Sequence, residues 1–349
     1  MGRPLRIERV GGWYHVTGRG NERKEIFWEN RDRFHFMELV AGMVGRFRVV
    51  LHGYQLMDNH YHLIIELREK NLSRAGQWLN VSYTNWFNRR HKRSGHLFQG
   101  RFNSVVVDPE EWGLALSRYV HLNPVRVKAL GLGKAEQQQM RAGVSGAPDA
   151  REVRERIALL RGNEWGSYRA YAGLGRRPEW LTCEVILEML GGNAADREKN
   201  YREYVERAVR EGMAESPWEH LQEQVVLGGK KFVEKLRRHV KGNAREQRGA
   251  ARLAKERPEL SEVIAVVEKL KGQQWLEFRD RHCDSGRDLV LYVGQRVCGM
   301  KLRELASVSG MKDYGAVSTA VRRFEKRLQH RTLEREQWKR ICQMYNVQM

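Results

Sequence analysis

With 349 residues, 41% of them hydrophobic and 30% charged, the chain has room for two or three domains with packed cores, which excludes a wholly disordered protein. Its 63 Lys and Arg against 43 Asp and Glu leave a net charge of +20, favouring nucleic acid over an anionic membrane, because the basic stretches lack a broad apolar stripe. No run approaches the roughly 20 apolar residues of a membrane span, and the N-terminal stretch has no signal-like apolar run, so a soluble, cytoplasmic protein with no membrane partner is expected. The first predicted element is a strand, Trp13 to Thr17, broken at Gly18-Arg19-Gly20-Asn21. Asn30-Arg31-Asp32 caps a helix with Phe34, Phe36, Met37, Val40 and Met43 at helical spacing. An extended region from Val49 to Leu67, interrupted at Met57-Asp58-Asn59, predicts a hairpin whose second strand is His60 to Leu67. A helix from Leu72 to Arg90 follows, then a strand from Ser94 to Val107. A helix then opens at Asp108-Pro109-Glu110-Glu111 and runs to about His121.

The order β-α-β-β-α-β-α predicts an α+β fold, a ferredoxin-like antiparallel sheet with helices. Beyond it the pattern weakens, and residues 132–163 read as a loop or insertion. Trp165 to Tyr171 restores aromatic anchors expected to pack on the front domain. The expected domains are 1–175, a helical connector and linker over 176–258 (linker Lys241 to Pro258), and an all-α region over 259–349. The four cysteines, Cys183, Cys283, Cys298 and Cys342, contain no C-x-x-C pair, which excludes a zinc ribbon and fits a reducing compartment.

Two spots in the front domain carry chemistry. In His60-Tyr61-His62, side chains two apart share one face of a strand, so two imidazoles stand together and Tyr61 points the other way. Two neutral imidazoles so placed can hold one divalent cation, although paired histidines on an exposed strand are commonly idle. In Tyr119-Val120-His121-Leu122-Asn123-Pro124, Tyr119 and Asn123 stack on the last turn of a helix that Pro124 helps to end. Asn123 offers a carbonyl oxygen as a third ligand and Tyr119 a phenol, a poor nucleophile at neutral pH unless a metal neutralises the phosphate it attacks. The plain alternative is a helix-end aromatic with a capping Asn.

Taken together, Tyr14 to Asn21, Met57-Asp58-Asn59-His60-Tyr61-His62-Leu63, Gly95 to Phe102 and Tyr119 to Val125 make the chain resemble the HUH single-tyrosine transposases, specifically the REP-associated tyrosine transposases. The resemblance spans residues 3–130 and resumes over 165–173. It implies that His60 and His62 bind a catalytic Mg²⁺ or Mn²⁺. It further implies that Tyr119 attacks single-stranded DNA at hairpins of palindromic repeats, leaving a 5′-phosphotyrosine and a free 3′-hydroxyl. Asn123 falls where many relatives carry Gln as third ligand, and Asn is usual in the REP-associated branch. Relatives act as monomers or as dimers that exchange the tyrosine helix, so the oligomeric state stays open.

Arg19, Arg89, Arg90, Lys92, Arg93 and Arg101 are the candidate DNA contacts near this site, with Trp86 and Phe87 read as core by their helical spacing. In the tail, Leu302 to Ala306, a turn at Ser309-Gly310-Met311 and a basic amphipathic stretch from Ala316 to Phe324 predict a helix-turn-helix, supported by an apolar helix at Arg287 to Val293. This part resembles the DNA-binding C-terminal domain of the replication initiator DnaA, which usually has His-Ser or His-Thr where Tyr314-Gly315 stands. The resemblance implies duplex DNA binding, with Lys312, Arg322 and Arg323 as candidate contacts. Two readings follow: a metal-dependent strand transferase, or a non-catalytic sequence-specific DNA-binding protein whose main activity is its DnaA-like domain.

Overall fold

The computed structural model describes residues 7–125, 149–211, 216–222, 225–237 and 258–345. They fall into two compact units, Met1–Ala254 and Lys255–Met349. The first opens with β1 (Trp13–Arg19), α1 (Asn30–Phe47), β2 (Val49–Met57), β3 (His60–Leu67), α2 (Leu72–Arg90), β4 (Asn103–Val107) and α3 (Pro109–His121), in the predicted order. The hairpin strand β3 lies between β1 and β2 and is antiparallel to both, while β4 flanks β1 on its other side, also antiparallel. This is the ferredoxin-like arrangement the sequence predicts.

Strand alternation gives the sheet two unlike faces. Tyr61 points toward α1 and α2, where its hydroxyl donates to Asn80 Oδ1 at 2.7 Å and its ring meets Phe36. Gly18, across from Tyr61 on β1, must be glycine because a Cβ there would lie 2.5 Å from the Tyr61 ring. Trp13, His15 and Thr17 of β1, with His60 and His62 of β3, face the opposite side.

Two expectations change. The strand expected from Ser94 begins only at Asn103; residues 94–102 form a loop that touches the end of β1 through a single Gly20–Phe98 bridge. Two backbone bonds make that bridge, Asn21 N–H to Leu97 C=O and Gln99 N–H to Arg19 C=O, and the pairing goes no further. The stretch expected as a connector instead completes the first unit. Strand β5 (Leu221–Gln222) pairs with β6 (Val226–Leu227), and β6 adds to β4 in parallel, giving the order β2-β3-β1-β4-β6-β5. Of the expected insertion, residues 132–148 lie outside the described residues. The remainder forms α4 (Ala150–Gly162), whose Arg161 grips Glu206 of α5 (Arg197–Glu211) with two hydrogen bonds of 2.7 and 2.9 Å. Helix α6 (Lys230–Arg237) follows β6, and the expected linker lies almost wholly outside the described residues.

The aromatic segment after α4 packs back onto β2 as expected. Leu56 N–H donates to Trp165 C=O at 2.8 Å, and the Tyr171 hydroxyl donates to His52 C=O.

The second unit is helical: α7 (Leu260–Lys271), α8 (Ser285–Arg296), α9 (Leu302–Val308), α10 (Tyr314–His330) and α11 (Thr332–Met344). Asp313 caps α10 by accepting from Ala316 N–H at 2.8 Å, and α9 and α10 are two helices joined by a short turn at Ser309–Asp313. The core contains a fully buried carboxylate, Asp288, held by a bidentate Arg323 at 2.7 and 2.9 Å and by Arg327 at 3.3 Å. Removing one partner of such a group strands charge in a dry interior, at about 3–5 kcal/mol. Asp288→Ala is therefore expected to lower the thermal midpoint of the second unit by many degrees. An unchanged midpoint in calorimetry would show that the ion pair ties nothing down.

Candidate active site

The candidate site lies on the sheet face covered by α3. His62 on β3 places its Nδ1 2.9 Å from Nε2 of His15 on β1, and its own Nε2 is buried without a hydrogen-bond partner. His60 places Nδ1 2.6 Å from Asn59 Oδ1, and since that oxygen only accepts, Nδ1 carries the proton and Nε2 keeps its lone pair. The His60 and His62 ring centroids are 4.9 Å apart.

Burial, reinforced by the charge of neighbouring imidazoles and Arg19, keeps this group unprotonated. His15 is pushed down to about 3 and His60 to about 4, and His62 lies well below the ordinary imidazole value. Near neutral pH all three rings are lone-pair donors. An unpartnered buried Nε2 beside a second oriented imidazole suits a divalent cation, and the Asn59 and His15 hydrogen bonds are the kind of support that fixes a ligand's tautomer.

Helix α3 brings Tyr119 to this face. Its ring is edge-on to His62 and His15, with centroids 6.2 and 6.5 Å away. The last turn of α3 is anchored by His121, which is fully buried and hydrogen-bonded at 2.7 Å to both the Tyr201 hydroxyl and the Ser167 hydroxyl. Burial alone pushes His121 down to about 3, so it serves as a neutral strut. Asn123 turns its amide N–H groups back onto the carbonyls of Tyr119 and Val120 at 3.0 and 3.3 Å, ending the helix as a cap.

Sequence reasoning missed two residues. His15 has no motif partner within its own strand, and only the β1–β3 register places it diagonally against His62. Trp218, just before β5, covers both His15 and Tyr119, with centroids 4.9 and 5.1 Å away. Nothing local in the sequence marks it.

The candidate DNA contacts divide by partner. Arg19, Arg89, Lys92 and Arg101 are exposed, and Arg93 is half-buried over the Phe87 ring. Arg19 lies directly across from His60 in the β1–β3 ladder. Arg90 donates to Glu29 at 2.7 Å and approaches Asp32, so its fork is committed internally. In the second unit Lys312 and Arg322 are exposed, while Arg323 is engaged by Asp288. Trp86 is half-buried and stacked on His35, and Phe87 is buried, as their spacing predicts.

Among the described residues, Glu29, Asp32 and His91 also bring three donor atoms within 4.8 Å of one another. That cluster is saturated. Asp32 accepts from Trp28 N–H, Glu29 N–H and His91, and Arg90 supplies the positive charge. It ties the start of α1 to the end of α2.

Residues 9–123 match the family model described as Transposase IS200 like. Over this stretch, about a third of the chain, the first unit is similar to IS200-like transposases. The matched stretch runs from just before β1 to Asn123 and so contains His15, His60, His62 and Tyr119, whereas Trp218 and the strut partners Ser167 and Tyr201 lie beyond it. No curated protein matches the chain. A solved structure described as "Structure of the REP associates tyrosine transposase bound to a REP hairpin" is 13% identical, covering 51% of this chain and 89% of that one, with a TM-score of 0.35. No described helix is long and apolar enough to cross a membrane.

Proposed function

We propose that the first unit is a divalent-cation-dependent DNA strand transferase that cuts and rejoins single-stranded DNA beside hairpins of palindromic repeats. The observation that carries this reading is the convergence of His60, His62 and Tyr119 from β3 and α3 on one sheet face, within the stretch similar to IS200-like transposases. His60 and His62 would hold Mg²⁺ or Mn²⁺, with the Asn123 carbonyl as third ligand, and the cation would offset charge on the scissile phosphate. The Tyr119 oxygen attacks phosphorus and the bond to the 3′-oxygen breaks. The phenol loses its proton and the departing oxygen gains one, leaving a 5′-phosphotyrosine and a 3′-hydroxyl. The phosphodiester energy stays in the new bond, so rejoining needs no ATP. Trp218 and the His121 strut restrict where the phenol can move, which lowers the entropic cost of reaching an in-line geometry.

The test is to incubate the full chain with labelled hairpins bearing single-stranded flanks, with Mg²⁺, with Mn²⁺ or with EDTA, on a denaturing gel. A covalent protein–DNA band that needs the cation is expected. Salt-sensitive binding with no band under any condition would favour the non-catalytic reading.

The second unit is proposed to add duplex DNA binding. The observation favouring it is a basic cleft of about 550 Å³ along α10, where Arg322 and Lys326 are exposed near His330 and Arg331. Replacing Arg322 and Lys326 together by Ala should weaken duplex binding on all sequences and flatten the dependence of log K on log salt by about two. A salt slope equal to wild type, measured by titration at several ionic strengths, would take α10 off the DNA.

A further inference from the structure

Beside the histidine end of the sheet lies a cleft of about 560 Å³ that neither the histidine pair nor Tyr119 uses. Its lining includes Asn21, Arg23, Lys24, Trp28, Arg93 and Leu97. Trp28 is 53% exposed, although indole is among the most costly surfaces to leave in water. The ring is nevertheless held. It packs on Phe87 and His91, with centroids 5.2 and 4.6 Å away, and its own N–H backbone group donates to buried Asp32 at 2.8 Å. The saturated Glu29–Asp32–His91–Arg90 cluster thus anchors an aromatic ring at the rim of a basic cleft.

Hydrogen bonds tie the rim of the cleft to the candidate active site. Asn59, which fixes His60 through Oδ1, donates through Nδ2 to Arg23 C=O at 2.9 Å and accepts on its backbone oxygen from Gly20 N–H at 2.9 Å. Gly20 is required where it stands, since a Cβ there would lie 2.0 Å from Lys24 C=O and force the rim loop open. Ile26 N–H and Phe27 N–H both bond to Asp58 C=O, so the segment from Gly20 to Trp28 is stitched to the β2–β3 turn. Three cations line the cleft against one carboxylate, Glu25, while Lys24 also contacts Glu22 at 2.6 Å.

A rigid aromatic platform with phosphate-seeking cations around it is the chemistry that recognises an unpaired nucleotide. The volume lies within the range of sites that take small molecules, about 300–1,000 Å³. We propose that this cleft is a single-stranded nucleotide subsite, in which Trp28 stacks on one unpaired base of the flank while Arg23, Lys24 and Arg93 hold the phosphates beside it. The subsite rests on the strand-transferase reading and deepens it. Its position next to His60 makes it a device that seats the flank relative to the scissile phosphate.

The test uses the full chain and two fluorescein-labelled probes, a blunt DNA hairpin and the same hairpin with ~10-nucleotide flanks of mixed sequence carrying 5-iodouracil. Trp28→Ala should weaken binding of the flanked probe roughly 5- to 150-fold, the range of one lost base–aromatic stack, and leave the blunt probe unaffected. Trp28→Tyr should restore most of the loss. Irradiation should cross-link the iodinated flank to the peptide containing Trp28. If Trp28→Ala binds the flanked probe as tightly as wild type, or cross-links map only elsewhere, the subsite is overturned while the strand-transferase reading stands. If wild type forms no cation-dependent adduct and does not prefer flanked over blunt hairpins, both fall together.

Discussion

Tyr119→Phe should abolish the covalent protein–DNA band, a loss of at least roughly a thousandfold in cleavage, and leave hairpin affinity within about twofold of wild type. The variant removes one oxygen atom. The ring contacts that seat residue 119 against Trp218, His62 and His15 are edge contacts of the aromatic carbons, and phenylalanine keeps them. The last turn of α3 is held by His121, Ser167 and Tyr201, none of which depends on the phenol. Fold and DNA binding should therefore survive, which separates chemistry from integrity. Denaturing gels and binding titrations on one preparation check both halves, and residual cleavage at wild-type rates would remove Tyr119 from the mechanism.

His15→Leu should raise the Mn²⁺ concentration needed for half-maximal adduct formation by about 10- to 100-fold, the usual effect of losing a partner that orients a metal-ligating histidine. A hydrogen bond donated by His62 Nδ1–H to His15 Nε2 would leave the lone pair on the buried Nε2. Leucine fills the space but accepts no proton, so His62 loses both its orientation and its preferred tautomer. Gln at position 15 can accept through its carbonyl and should recover part of the metal response. A cation titration of the adduct assay, with thermal unfolding of each variant alongside, gives the reading. A drop in unfolding temperature with an unchanged Mn²⁺ midpoint would make His15 a packing residue only.

The sheet and its two main helices were legible because their signals are local. His60-Tyr61-His62 alternates with the two-residue period of a strand, and Asp108-Pro109 starts α3 where Asp108 accepts from Glu110 N–H. Tyr119 was legible for a similar reason, since its spacing to Asn123 belongs to one helix turn. What escaped is what long-range packing decides. His15 meets His62 only through strand register, and Trp218 reaches Tyr119 from about a hundred residues further along the chain. Charge was legible and its use was not. Arg90 and Arg323 read like Arg89 and Arg322 in the sequence, yet buried carboxylates that only folding brings near, Asp32 and Asp288, together with Glu29, claim them. Residues 94–102 look extended because of Leu97 and Phe98, but those side chains are buried from a loop rather than a ladder.

The parallel pairing of β6 with β4 bears on how the stretch that the family model matches can be handled as an isolated piece. Val106 N–H donates to Val225 C=O and Asp108 N–H to Leu227 C=O, so the valine-rich β4 has its outer side closed by chain that lies far beyond Asn123. Cutting the chain back to residues 9–123 would bare the amides of Val106 and Asp108 on an unprotected sheet edge, the geometry on which chains zip together into aggregates. The stretch that the family model matches is thus shorter than the stretch that closes the sheet.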